Sequence, residues 1–366
     1  MIHSKLPHIG TTIFTRMSAL ADECDAINLS QGFPDFDAPE QLREAMARHV
    51  MAGHNQYAPM AGVMALRQQL AAQLALHRHV ESDPDSEITI VPGATEGIFC
   101  AVMACVRPGD EVIVFDPCYD CYPPAVELAG GRTIHVPLTS GSFALDRESL
   151  EAALSPRSRL IIINSPHNPT GSTLTNSDML YLQELVEQRN LLVISDEVYE
   201  HLVFDGNQHH SALAFPGLRA RSFVLFSFGK TFSVTGWKTG YCVAPAELTM
   251  ELRKVHQFVS FVAVTPVQLA LADFLEAEPD YPATLAAFYQ RKRDLFCTAL
   301  AGSRFTLTPS SGTYFQLLDY SAVSEAPDTE LCEHLTRAPG IASIPISIFY
   351  DKPPQQHFLQ IGRAHV

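Results

Sequence analysis

Two lysines stand in the apolar stretch "SFGKTFSVTGWKTGY", residues 227 to 241: Lys230 and Lys238, eight residues apart. Lysine is seldom buried unless it is paired or chemically used, and a desolvated amine becomes a nucleophile or a proton carrier. Both therefore need partners elsewhere in the chain. Asp196 follows the apolar run "LLVIS", and a carboxylate at the end of a buried strand is costly without a cation or a donor. Its bland role is to cap a helix over "EVYEHL". Its chemical role is to keep a proton on the ring nitrogen of a bound heterocycle. Tyr199, three residues on, lies on about the same side of the following turn. In "NSPHNPTG", Pro166 and Pro169 impose extended or turn backbone, Gly171 permits positive φ, and Asn168 offers an amide donor. Gly93, Ala94 and Thr95 open a helix whose first N–H groups favour an anion. Ser227 would add a hydroxyl to that anion site and Lys238 a fixed charge. Tyr119, after the run "DEVIVFDPC", would stack on a ring.

Taken singly, each of these is more often a cap, a turn or ordinary packing. A pyridoxal phosphate cofactor is one group that needs a carboxylate partner, because its protonated pyridine is the electron sink.

The elements that must position these residues alternate. "EITIVPGATEGIFCAVMACV" reads as strand, turn and helix. "DEVIVFDPCYDCY", "RLIIINSPHNPTG", "NLLVISDEVYE" and "SFVLFSFGK" are short apolar strands that end in polar residues. "AGVMALRQQLAAQLALHRHV" and "NSDMLYLQELVEQR" have helical spacing. Strands alternating with helices predict an α/β fold, a mainly parallel seven-stranded-type sheet with helices on both faces. In such sheets ligands gather outside the carboxyl ends of the strands, where Thr95, Tyr119, Asn168, Asp196, Tyr199 and Lys230 all fall. After about residue 270 a long helical stretch and shorter strands at "GTYFQLLDY" and "ASIPISIFY" indicate a smaller α+β domain. The expected divisions are 1–40, an N-terminal arm joined to the small domain; 41–270, the large domain; and 271–366, the small domain.

A formal net charge of −15 argues against nucleic acid or an anionic membrane as the main partner. No apolar run approaches a membrane span, and the start shows no signal-peptide h-region. Eight scattered cysteines suit reduced thiols in a cytoplasmic protein. Cys118 and Cys121 have C-x-x-C spacing, but without a second pair they read as loop cysteines, and no metal site is expected.

The ordered motifs "INLSQGFPDF", "NQYAPMAG", "GATEG", "DPCYDCY", "NSPHNPTG", "SDEVYE", "SFGKTFSVTGWKTGY", "GTYF" and "IPISIFY" run through nearly the whole chain. In them it resembles the fold-type I, pyridoxal-phosphate-dependent aminotransferases of classes I and II, most of all the bacterial methionine-preferring and kynurenine/glutamine-type enzymes. The resemblance implies Lys230 as the lysine that carries the cofactor and Asp196 as its ring-nitrogen partner. It implies Asn168 and Tyr199 at the ring oxygen, with Asn168 also facing substrate, and Tyr119 stacked on the ring. Ala94, Thr95, Ser227 and Lys238 match the phosphate cup, and Gly32 lies at the substrate entrance. Tyr57 matches a tyrosine that reaches the neighbouring subunit's cofactor, so a homodimer with shared active sites is implied. The expected reaction moves an amino group from an L-amino acid, methionine or an aromatic or glutamine-like donor, to a 2-oxo acid by a ping-pong course. A carbon–sulfur β-lyase is the alternative on the same fold.

The pattern fails at the end. The family places an arginine for the substrate carboxylate where Gln360 stands; Arg363 is three residues late, so it would not present the same face of a strand. Gln360 to Val366 also matches the translation of a common sequencing-library adapter. The expectation is a natural chain with arginine at 360 and a continuation beyond.

Overall fold

The structure is a computed structural model and describes residues 3–362. Seven strands form its main sheet: β1 (Ile88–Val91), β2 (Glu111–Asp116), β3 (Arg132–Pro137), β4 (Ser158–Asn164), β5 (Leu192–Asp196), β6 (Ser222–Ser227) and β7 (Gly240–Val243). Their order across the sheet is β1-β7-β6-β5-β4-β2-β3. β7 is antiparallel to both of its neighbours, and all other pairings are parallel. β1 and β6, each reversed relative to β7, therefore run the same way, and six strands end on one edge.

The strands are apolar because both faces are covered. In β4, Ile161 and Ile163 join one core with Leu66, Leu70, Leu182 and Leu271, while Leu160 and Ile162 join a second with Ile98, Val102, Val126 and Leu252. Alternate side chains of one strand thus feed opposite layers of helices. Each fully buried Ile or Leu contributes about 1.5–3 kcal/mol, so the two layers fix the strands firmly. The sequence reading located five of the seven strands. It left out β3, whose residues are only partly buried, and the four-residue β7 between Gly240 and Pro245.

A second sheet has three antiparallel strands, with β10 (Phe358–Gly362) between β8 (Phe315–Asp319) and β9 (Ile344–Pro345). The helix Ile13–Cys24 packs on the helix Asp328–Arg337, and Met17, Leu20, Leu331, Ile344 and Ile361 share one core there. Residues 27–28 pair in parallel with 341–342, tying the N-terminal segment to this part of the molecule. Among the described residues, no helix is long and apolar enough to cross a membrane. Residues 363–366, Arg363 among them, lie outside the described residues.

Candidate active site

A cavity of about 320 Å³ opens at the carboxyl edge of the main sheet. Gly32, Ala94, Thr95, Tyr119, Asn168, Asp196, Tyr199, Ser227, Lys230 and Lys238 all line it. Ten residues singled out from six separate motifs therefore meet in one place. Tyr57 does not. It is 83 % exposed, edge-on to Phe261 at 5.5 Å, and does not line its own chain's cavity.

Each side chain arrives by a short local route. β6 ends at Ser227 and passes into a single helical turn, Phe228–Thr231, which turns Lys230 back over the sheet edge. Lys230 Nζ donates to the Gly32 carbonyl oxygen at 3.0 Å and lies 5.7 Å from the centre of the Tyr199 ring. Burial lowers its pKa to about 8, Lys238 pushes the same way, and Asp196 opposes them. Asp196 ends β5 and is followed by a turn rather than a helix, so the capping role has no helix to serve. Its carboxyl is raised to about 6, chiefly by burial. The backbone beyond it is anchored by two glutamates that face away from the cavity. Glu197 accepts from His209 Nε2 at 2.7 Å, and Glu200 pairs with Arg78.

Tyr199 is buried against Tyr314 and Phe315, which hold its ring edge-on at 5.3 and 5.8 Å. Its hydroxyl stays protonated because burial raises its pKa. Asn168 is set by Asn164, whose Oδ1 accepts from the Asn168 N–H at 2.8 Å while its Nδ2 donates to the Asp196 carbonyl at 2.8 Å. That pair ties β4 to β5. The C-x-x-C thiols of Cys118 and Cys121 are both pushed well up by burial, which suits unreactive loop cysteines.

The donor set fits a phosphorylated aldehyde ring. The helix Ala94–Cys105 points its N-terminus at the cavity, and Gly93 before it has φ +82°. A Cβ on Gly93 would come within 3.3 Å of Lys238 Nζ, so the missing side chain leaves the ammonium beside the helix end. Among the described residues Lys238 has no acidic partner within ion-pair distance, which suits a site built for an anion. Among the described residues Asn168 Oδ1 is buried without a hydrogen-bond partner, so it would accept from a donor on a bound group.

The sequence reading missed several lining residues. Asn164, Thr235 and Thr239 lie within quoted motifs, and only their placement in space distinguishes them; Phe14, Gln31, Phe33 and Phe315 also line the cavity. Among the described residues, no arginine lines the cavity. Gln360 sits in β10 opposite Leu317, 1 % exposed, with Oε1 lacking a partner.

Comparison with known proteins agrees with this arrangement. The family described as "Aminotransferase class I and II" matches residues 25–363. A methionine aminotransferase of Escherichia coli K12 is 51 % identical over 350 residues, 96 % of this chain and 91 % of the relative. A solved E. coli structure, YbdL, reported with a methionine aminotransferase function, superposes with a TM-score of 0.97. It is 49 % identical, and the match covers 100 % of this chain and 95 % of that one. The Mycobacterium tuberculosis N-succinyldiaminopimelate aminotransferase gives 0.95 at 40 % identity, covering 100 % and 96 %. With a family match over most of its length and a cavity whose donors suit the cofactor of that family, this chain belongs to the class I and II aminotransferases and is a pyridoxal-phosphate-dependent transaminase acting on amino and 2-oxo acids.

Proposed function

We propose that this transaminase takes L-methionine, or an aromatic donor of similar bulk, and that Lys230 is its catalytic residue. The observation that carries the reading is a buried amine, titrating near 8, that shares one cavity with Asp196, Asn168, Tyr199 and Lys238. Ala94, Thr95, Ser227 and Lys238 would hold the cofactor phosphate, and Tyr119 would stack on the ring. Asn168 and Tyr199 would donate to its oxygen, and Asp196 would face its nitrogen. Bound there, pyridoxal phosphate supplies a protonated ring that draws electrons from the substrate Cα. Lys230 Nζ, kept largely uncharged by burial above pH 8, would accept the proton from the substrate Cα and deliver it to the carbon that carried the cofactor's aldehyde. Phe14, Phe33 and Phe315 exclude water from the cavity and offer an apolar surface to the donor side chain. Gly32 contributes its carbonyl oxygen at the entrance.

Tyr57, exposed and edge-on to the exposed Phe261, supports a homodimer in which it serves the partner's site. We also read 41–270 as the cofactor-binding domain, 1–40 with 271–366 as the smaller one, and the protein as cytoplasmic. Position 360 is proposed as the seat of the substrate-carboxylate group, which glutamine fills with a neutral amide.

Steady-state rates with a panel of amino donors and several oxo acids test the reading. L-Methionine should give the highest kcat/KM. A preference for acidic donors would refute the donor assignment, and pyruvate with ammonia from one amino acid, without an oxo acid, would point to the β-lyase.

A further inference from the structure

Asp196 is nearly fully buried, and its proposed task requires it to be ionised. Among the described residues, two hydrogen bonds reach its carboxylate. The Val198 N–H approaches Oδ1 at 3.4 Å, a marginal contact, whereas the Tyr122 hydroxyl donates to Oδ2 at 2.7 Å. Among the described residues Tyr122 is thus the one close donor on that side chain. It is 2 % exposed and opens the short helix Tyr122–Leu128, with Pro123 and Pro124 fixing the backbone behind it. Its ring lies in the second core, with Ile162 and Ile194, and meets the Tyr119 ring edge-on at 5.8 Å and 72°. Tyr122 does not line the cavity.

We propose that Tyr122 is a positioning residue, which holds the Asp196 carboxylate ionised and aimed through its hydroxyl and orients the Tyr119 ring through its edge. The inference rests on the reading of Asp196 as the partner of the cofactor nitrogen. The physical reason is direct. A hydrogen bond donated to the charged form of a buried carboxylate offsets desolvation, and here Tyr122 is the largest influence opposing burial at Asp196. One side chain outside the cofactor's reach thereby governs two that touch it. Removing the oxygen alone takes from Oδ2 the close donor that the protein supplies there among the described residues, and the charged form is then disfavoured.

The test uses Tyr122→Phe holoenzyme, which keeps the ring. Retained pyridoxal phosphate is read by absorbance after dialysis at a series of pH values, beside the pH profile of kcat. Loss of a hydrogen bond to a charged group should move the acid limb of both upward by about one pH unit. In an Asp196→Asn background, where no charge remains to be held, the same change should move nothing further. Melting of each apo-protein separates cofactor loss from unfolding. If the phenylalanine variant melts early, Tyr122→Met, whose flexible side chain can fill the space without a donor, gives the same comparison. An acid limb that superimposes on the parent's overturns the inference, as does a shift that persists with Asp196→Asn. If Asp196→Asn alone retains cofactor and kcat as the parent does, the reading beneath it fails and the inference falls with it.

Discussion

Lys230 shows how a single residue is tuned by its surroundings. Burial and the Lys238 charge bring its pKa from an ordinary 10.5 down to about 8. The neutral amine is the form that attacks an aldehyde, so capture of pyridoxal phosphate by the apo-protein should accelerate as pH rises through about 8 and then level off. Stopped-flow absorbance measures this, and a rate independent of pH across that range would contradict it. Asp196 holds the pKa up, so Asp196→Asn should move the midpoint lower. Stability follows from the same shift. Between about 8 and 10.5 the unfolded chain binds a proton at this position that the folded chain does not, so the apo-protein should become more stable as pH rises through that window. Borohydride should fix a pyridoxyl mass on the peptide that contains Lys230, and Lys230→Ala should abolish turnover; label recovered on another lysine would reassign the residue.

At the scale of elements, the reversed strand β7 is decisive. Because it runs against its neighbours, its first residues rather than its last lie at the cavity, and this brings Lys238 and Thr239 to the site. Gly240 sits between Val91 and Ser227 in the ladder, where a Cβ would lie 2.4 Å from the Phe226 carbonyl and 3.2 Å from the Ala94 N–H. Gly240→Ala must therefore part β6 from β7 or move the helix start. It should weaken cofactor retention at least about tenfold and lower stability by about 1–3 kcal/mol, as overpacking does. Equilibrium dialysis and thermal melting check the two effects separately. The helix Asn176–Arg189 offers a contrast. Its capping box joins Thr175 and Asp178 away from the cavity. Thr175→Ala should cost about 1 kcal/mol of stability and leave cofactor affinity unchanged.

At the scale of the molecule, the outward Tyr57 makes a prediction about assembly. Mixing inactive Tyr57 and Lys230 variants should restore activity, because a two-fold dimer of the two carries one site with both native residues. A parent protein that sediments as a fully active monomer would exclude this arrangement. Gln360 makes a second. Neighbouring Leu359 and Ile361 enter the small sheet's core, and the alternation of a strand turns Gln360 to the opposite face. Gln360→Arg should raise kcat/KM for L-methionine about tenfold or more, through a two-pronged contact with the carboxylate. Cofactor retention should stay the same. No gain in kcat/KM would show that position 360 does not bind the carboxylate.

The sequence alone determined the alternation of strand and helix, because strands buried on both faces must be continuously apolar and "LIII" and "LLVI" are. It determined the cofactor chemistry as well, since Lys230, Asp196, Asn168 and Tyr199 stand at strand ends where an α/β sheet gathers ligands. It did not give β3 or β7, whose apolar signal is weak or only four residues long. Without β7 the route that carries Lys238 to the site was hidden, although the residue itself was legible. Asn164, Tyr122, Phe14 and Phe315 were beyond reach for a different reason. Their types are ordinary and their partners lie far off in sequence: Tyr122 meets Asp196 across 74 residues, and Phe315 joins a cavity floored by Ala94 and Lys230. Spacing along a chain records what one helix or strand can present, whereas contacts between elements depend on how their buried faces pack, and only the tertiary structure decides that.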